Sequence, residues 1–421
     1  EARNYIARSR QQFDVIQASL IDTWAATAAG AFALSENNLY TTEAFQTYFD
    51  HLTQDGILTM SRWYFDWRPE ETLRLVALGM AGWGSSGVDE PGEHMMLVAR
   101  LVGAGQRQGL ATLLMKKSPF TRQEIEHVEA SSARLGFAVF YTPLTRADER
   151  VDALVAAPDL QAYCAAYPKN IAPPTDDQPF FFNMQRLRDF LRRPTLLGGL
   201  LAVVTLLASL TVLAPLLLFA RQRVRGASRT GPLMIYFVGI GLGYLLLEMP
   251  LMQRFILFLG HPTYALAVVL FSLLLFSGLG SYSTQGLSAG QVRKRLQLAL
   301  LSVLVLGLIY RVALPSVLRQ WIGLGLGLRI GLSILLLAPL GLLMGMPFAL
   351  GMAATRHSES QKWIPWLWAV NGSASVLSSV LAVALATTLG FSAAMAAGLA
   401  AYGLALLAQF GFPSEVQAVS R

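Results

Sequence analysis

The chain has 421 residues, of which 54% are hydrophobic and only 14% charged, too apolar for an ordinary soluble protein and long enough for two or three domains. Its net charge of +7 is uneven: residues 1–185 hold 15 Lys/Arg against 22 Asp/Glu, and residues 186–421 hold 18 against 4. A basic excess of that origin points to membrane-flanking loops and away from a nucleic-acid surface, while the single cysteine, Cys164, excludes an internal disulfide and the five scattered histidines argue against a metal site.

The sequence opens on an acid and an arginine, without a leading Met or signal peptide, and reads as a fragment that starts inside a domain. The apolar run FDVIQA at 13–18 predicts a buried parallel strand. Ser19 and Asp22 follow at once, where the strand's carboxyl end opens into a loop. In open α/β sheets, ligands sit at such strand ends. After a loop of small residues, a helix is expected over 41–52, capped by Thr41 or Thr42, with Ala44, Phe45, Tyr48, Phe49 and Leu52 on its apolar face.

A Gln-Asp-Gly turn then leads into a strand at 57–63, and Pro69 opens a helix to about 83. Segments 95–102 and 110–115, joined by GAGQRQG, read as an antiparallel hairpin. Gly103 and Gly105 sit in that turn with no helix after them, so they do not form a dinucleotide loop. A helix at 121–135 and a strand at 137–141 follow. This order fits the carboxyl half of a Rossmann-like methyltransferase fold with an antiparallel edge.

Residues 143–183 have a weaker pattern and end in PPTDDQPFFFN. Asp176 or Asp177 caps the next segment while the phenylalanines pack on the sheet or lie at a membrane surface, or else the paired acids stand near an active-site mouth.

From Leu196 the text changes to apolar runs long enough to cross ~30 Å of hydrocarbon. Seven are expected, at about 196–220, 233–257, 262–282, 296–314, 321–350, 364–388 and 391–411. The fifth carries Pro339 and Pro347 and is expected to kink or break. The sixth has Ala374, Ser378 and Ala382 at a spacing that lets helices approach closely, and Asn371 for an interhelical hydrogen bond.

Arg221, Arg223, Arg225 and Arg229 after the first span, Arg293, Lys294 and Arg295 after the third, and Arg356 and Lys362 after the fifth put those loops in the cytoplasm. Seven crossings then place residues 1–185 outside, while Arg186, Arg188, Arg192 and Arg193 pull that domain inward. Glu248 is an acid well inside the second span, which implies either a proton- or cation-coupling site or an ion pair with Arg254, Arg311 or Arg329.

The stretches EARNYI, FDVIQASLID, GAF, LYTTEAF and LTQDGILTMSRW resemble the core of spermidine synthases, the polyamine aminopropyltransferases. TDDQPFFF, LLLEMPLMQRFILFLGHPTYA, GMPFALG and IPWLWAVNGSASVLSSVLAV are similar to the multispan bacterial branch of that family. The resemblance covers nearly the whole chain. It implies a partial Rossmann-like domain over 1–185, a transmembrane helical domain over 186–421, and a bacterial inner-membrane location with the soluble domain cytoplasmic.

It further implies transfer of an aminopropyl group from decarboxylated S-adenosylmethionine (or S-adenosylmethionine) as co-substrate to a polyamine or related amine. The implied partners are that amine and the lipid bilayer, with no nucleic acid, no permanently bound cofactor and a homo-oligomer as one assembly. By register with the family, Glu1 stands where an acid contacts the adenine, Ser19 where the first acid after the strand accepts the amine proton, and Asp22 where the second acid holds the substrate amine. The family's Asp-Pro and Gly-Pro-Ala pieces are here Asp22-Thr23-Trp24 and Gly30-Ala31. Two other readings stand beside this one: a transporter-like protein with a degenerate nucleoside-sensing domain, and a methyltransferase-like enzyme at the membrane surface.

Overall fold

A computed structural model describes residues 2–20, 36–84, 88, 90–102, 105, 107–186, 196–219, 230–356 and 359–412. It divides into two units, Glu1–Asp189 and Phe190–Arg421, a boundary four residues beyond the expected one at 185.

The first unit runs α1 (Ala2–Arg8), β1 (Phe13–Ser19), α2 (Thr42–Asp50), β2 (Leu52–Phe65), α3 (Glu70–Gly84), β3 (Met95–Val102), β4 (Gln108–Lys116), α4 (Arg122–Leu135), β5 (Ala138–Tyr141), α5 (Glu149–Val155) and α6 (Leu160–Ala166). The five strands form one mixed sheet in the order β1-β2-β4-β3-β5. β1 and β2 are parallel, and the remaining pairs are antiparallel.

Period-two alternation along β2 sends Leu58, Met60, Arg62 and Tyr64 into the core and leaves Ile57, Thr59, Ser61, Trp63 and Phe65 half-buried on the other face. α2 and α3 supply the opposing apolar faces, with Phe45, Tyr48, Phe49, Val76 and Trp83 buried. Phe49 and Trp83 stack with centroids 3.7 Å apart.

Several expectations are met. Thr41 caps α2 by accepting from the Ala44 amide, and the helix expected at 121–135 forms as α4, its start closed by a reciprocal capping box of Thr121 and Glu124. Others are corrected. β1 is parallel, but among the described strands it has one neighbour and lies at the edge, so only Ile16 is buried and Val15 is 61% exposed. The Gln-Asp-Gly segment lies inside β2. It forms an irregularity there, since Phe13 pairs with Leu52 and Val15 already pairs with Ile57. A Cβ on Gly56 would press on the Phe13 carbonyl, so that close approach needs a glycine.

The second unit consists of α7 (Leu196–Phe219), α8 (Thr230–Leu259), α9 (Pro262–Tyr282), α10 (Ala289–Gln320), α11 (Leu326–Arg356), α12 (Ile364–Leu389) and α13 (Phe391–Ala408). Six helical segments, Gly231–Leu259, Pro262–Tyr282, Ala289–Gln320, Leu326–Thr355, Gln361–Leu389 and Phe391–Gly411, are long and apolar enough to cross a membrane. The first of the seven expected spans forms α7, in which the described apolar stretch is the shorter Gly198–Leu207. Leu274, Val312 and Leu335 are about two-thirds exposed on the bundle's outside, as suits helices solvated by lipid and not water.

Pro339 and Pro347 do not break α11, which is continuous from Leu326 to Arg356. Tyrosines on neighbouring helices donate to carbonyls along it: the Tyr310 hydroxyl to Leu336, and the Tyr236 hydroxyl to Pro347 at 2.7 Å. Small residues set the α8–α12 contact. Asn371 donates to the Phe237 carbonyl at 3.0 Å and Ser378 to the Leu242 carbonyl at 2.6 Å, with Ala374 and Ala382 buried beside them.

Candidate functional site

The carboxyl ends of β1 and β2 lie side by side because the two strands are parallel and Ser19 pairs with Ser61. The same register sets Ser61 opposite Thr112 on β4. The three hydroxyls form a ladder: Ser19 Oγ donates to Ser61 Oγ at 3.3 Å, and Ser61 Oγ lies 2.8 Å from Thr112 Oγ1. They stand on the half-buried face of the sheet. The next residue, Leu20, has φ of +48°, while its amide donates to the Ser61 carbonyl at 3.3 Å. A branched side chain in the left-handed region costs on the order of 1–2 kcal/mol, and such strain concentrates at functional turns. β1 therefore ends at Ser19, with Leu20 already out of strand geometry.

Chemically, this ladder can hold and orient a hydrogen-bonding ligand. Among the described residues, Ser19 and Ser61 hydrogen-bond through their side chains only to hydroxyls, which do not activate Ser19 as a base, and an unassisted serine hydroxyl is a poor base at neutral pH. Of the other expected site residues, Glu1 and Asp22 lie outside the described residues.

Beyond Tyr64 and Phe65, the end of β2 is occupied by a charged cluster. Arg150 reaches the Tyr64 hydroxyl at 2.9 Å, Asp66 Oδ1 at 3.1 Å and Asp148 Oδ2 at 2.8 Å. Arg107 holds the other Asp66 oxygen at 3.1 Å. Hydrogen bonds from Arg107 and Arg150 keep the Asp66 carboxyl below its ordinary pKa. Two acids and two arginines balance here, so the cluster ties α5 and the hairpin turn to β2 and offers no net charge to a ligand.

The PPTDDQPFFFN segment is built into this unit. Asp176 does not cap the segment after it. It takes a bidentate pair from Arg3 at 2.6 and 2.7 Å and accepts from Thr41 at 2.7 Å. Its amide donates to Glu43 at 2.9 Å. Phe180, Phe181 and Phe182 are buried, and Phe181 and Phe182 lie against Tyr40 while the Arg62 guanidinium sits 4.5 Å over the Phe182 ring.

Arg74 was not among the residues singled out from sequence. It is 4% exposed on α3 and donates to the carbonyls of Ala172, Phe180, Phe181 and Asn183 at 2.6 to 3.1 Å. Burial pulls its pKa down to about 9, which still leaves it a cation at neutral pH. The available signal was a lone arginine inside TLRLVALGM, a helix apolar on every side.

In the bundle, Glu248 is 9% exposed on α8, and among the described residues no ion pair joins it to Arg254, Arg311 or Arg329. Arg254 donates to the Tyr310 carbonyl and Ser392, Arg311 to the Ser392 carbonyl, and Arg329 to the Phe258 carbonyl. These arginines are met by backbone carbonyls of α8, α10 and α13 and by the Ser392 hydroxyl.

No protein-family model, no curated protein and no solved structure matches this chain. The fold itself defines the class: a multi-pass membrane protein that carries an α/β unit with a five-stranded mixed sheet.

Proposed function

We propose that the chain is a membrane-integral protein of the spermidine synthase type, whose α/β unit acts on an amine with an S-adenosyl donor. The observation that carries this reading is the sheet order β1-β2-β4-β3, with β1 and β2 parallel and an antiparallel hairpin outside them. That is the order expected of the carboxyl half of a Rossmann-like methyltransferase sheet, where ligands bind beyond the carboxyl ends of the parallel strands. The resemblance of the strand end and the PPTDDQPFFFN segment to the aminopropyltransferases narrows the chemistry.

In that chemistry the amine nitrogen forms a bond to the carbon beside the donor's sulfonium. The S–C bond breaks, the thioether leaves, and the nitrogen loses a proton to solvent water. Asp22 would hold the amine by charge, and Ser19, within its hydroxyl ladder, would orient the amine by hydrogen bonding without taking its proton. Glu1 would meet the adenine. A transport role has less behind it, because Glu248 is one acid and does not define a pathway.

Calorimetric titration of the full chain with decarboxylated S-adenosylmethionine tests the reading. Saturable binding is expected. A folded protein that takes up neither this donor nor its thioether product would overturn it.

A further inference from the structure

Within the second unit, a cavity of about 1260 Å³ opens between the α9–α10 turn, the second half of α11, the start of α12 and the segment after α13. Its walls divide by chemistry. Phe348, Met352 and Trp368 give an apolar, aromatic side, with Phe348 and Trp368 packed edge to face at 4.7 Å. Arg293 and Lys294, on the first turns of α10, give a cationic side. Both cations are exposed, and neither makes an ion pair among the described residues. No acidic side chain among the described residues lines the cavity. Gln409, which contributes to the wall, is 2% exposed, and neither polar atom of its amide has a hydrogen-bond partner.

Position adds to this. The cavity lies at the bundle end where α9 finishes, α10 begins, α11 finishes and α12 begins. Arg293, Lys294, Arg295 and Lys362 belong to that end, the cytoplasmic one by the distribution of basic loop residues. Trp368, 59% exposed, is a residue type that settles at the headgroup level.

We propose that this cavity binds an anionic amphiphile, an acidic phospholipid of the cytoplasmic leaflet, with its phosphate on Arg293 and Lys294 and its acyl chain along Phe348, Met352 and Trp368. A polyamine does not suit the cavity, since two uncompensated cations and no acid would repel it. The site is therefore separate from the amine chemistry assigned to the α/β unit and does not rest on it.

The test uses full-length protein in phosphatidylcholine nanodiscs, with tryptophan fluorescence quenched by brominated phosphatidylglycerol. Each cation near a charged headgroup is worth about 1 kcal/mol, which strengthens lipid association about fivefold. Arg293→Gln combined with Lys294→Gln should therefore weaken the apparent affinity on the order of 30-fold. Arg319→Gln, which removes an exposed charge from the far end of α10, should leave it unchanged. Trp368→Phe should remove most of the quenching. Equal quenching by brominated phosphatidylcholine, or undiminished affinity in the double variant, would overturn the proposal. Displacement of the lipid by glycerol phosphate at equal concentration would do so too, by assigning the site to a soluble anion.

Discussion

Arg74 shows how one side chain can organise a connector. Its guanidinium replaces water with four carbonyls from residues 172–183, so a segment without regular structure has its backbone acceptors satisfied from α3. Arg74→Met would leave those acceptors short of donors inside the core, and we expect a loss of about 3–5 kcal/mol in unfolding free energy. Arg74→Lys keeps the charge but not the planar fork and should fall between the two. Chemical denaturation of the full chain measures both, and wild-type stability in Arg74→Met would show that the carbonyls find other donors. Caps and small polar bridges were legible in advance, as Thr41 and Asn371 show, because each acts through local geometry or helical spacing. Arg74 was not, because its partners lie about a hundred residues away and the acceptors are backbone atoms that sequence does not mark.

At the scale of elements, the start of α2 meets the PPTDDQPFFFN segment through two acids. Burial and the neighbouring Asp176 carboxylate raise the Glu43 pKa above its ordinary value. The sign follows from linkage: a raised carboxyl favours the fold fully below the ordinary carboxylate pKa, and that contribution is lost as pH rises through the raised value. At neutral pH the Glu43 charge is therefore a cost. Glu43→Gln keeps an acceptor for the Asp176 amide, so it should raise the melting temperature at pH 7 by about 2–4 °C, with the gain vanishing near pH 4. An unchanged or lower melting temperature at pH 7 would show that the carboxylate is needed as a charge.

Elements themselves were read well where period decided them, as with α4 and the β3–β4 hairpin. They were misread where context decided. The strand at 13–18 was expected to be buried from its apolar run, yet an edge position exposes Val15. The Gln-Asp-Gly segment carries turn residues, yet it forms a strand irregularity because Gly56 allows the backbones of β1 and β2 to close. Pro339 and Pro347 were expected to kink or break the fifth span, and α11 runs unbroken through both.

The whole molecule combines an acidic α/β unit with a basic helical bundle. Among the described residues, six helices between 230 and 412 are long and apolar enough to cross a membrane. If all six cross, the chain returns to the face it left, and the positive-inside rule predicts that face to be cytoplasmic. Cys164 makes this simple to test. It is buried, and burial pushes its thiol up to about 11, so the native protein should react little with maleimide near neutral pH. In intact cells, a membrane-impermeant maleimide should label Gly323→Cys directly and Gln285→Cys only after permeabilisation. The reverse pattern would invert the bundle.

The candidate site was half legible in the sequence. The run from Phe13 to Asp22 located a strand end, and the strand pairing brought Ser61 and Thr112 to Ser19, two hydroxyls that no local pattern connects to it. The most direct measurement of the central claim is turnover. Full-length protein incubated with decarboxylated S-adenosylmethionine and a diamine should release methylthioadenosine in proportion to the amine. Asp22→Asn, by removing a charge-assisted hydrogen bond, should reduce amine affinity about 10- to 100-fold while sparing donor binding. Thioether release no greater than in a protein-free control, from protein that is folded and membrane-inserted, would contradict the account.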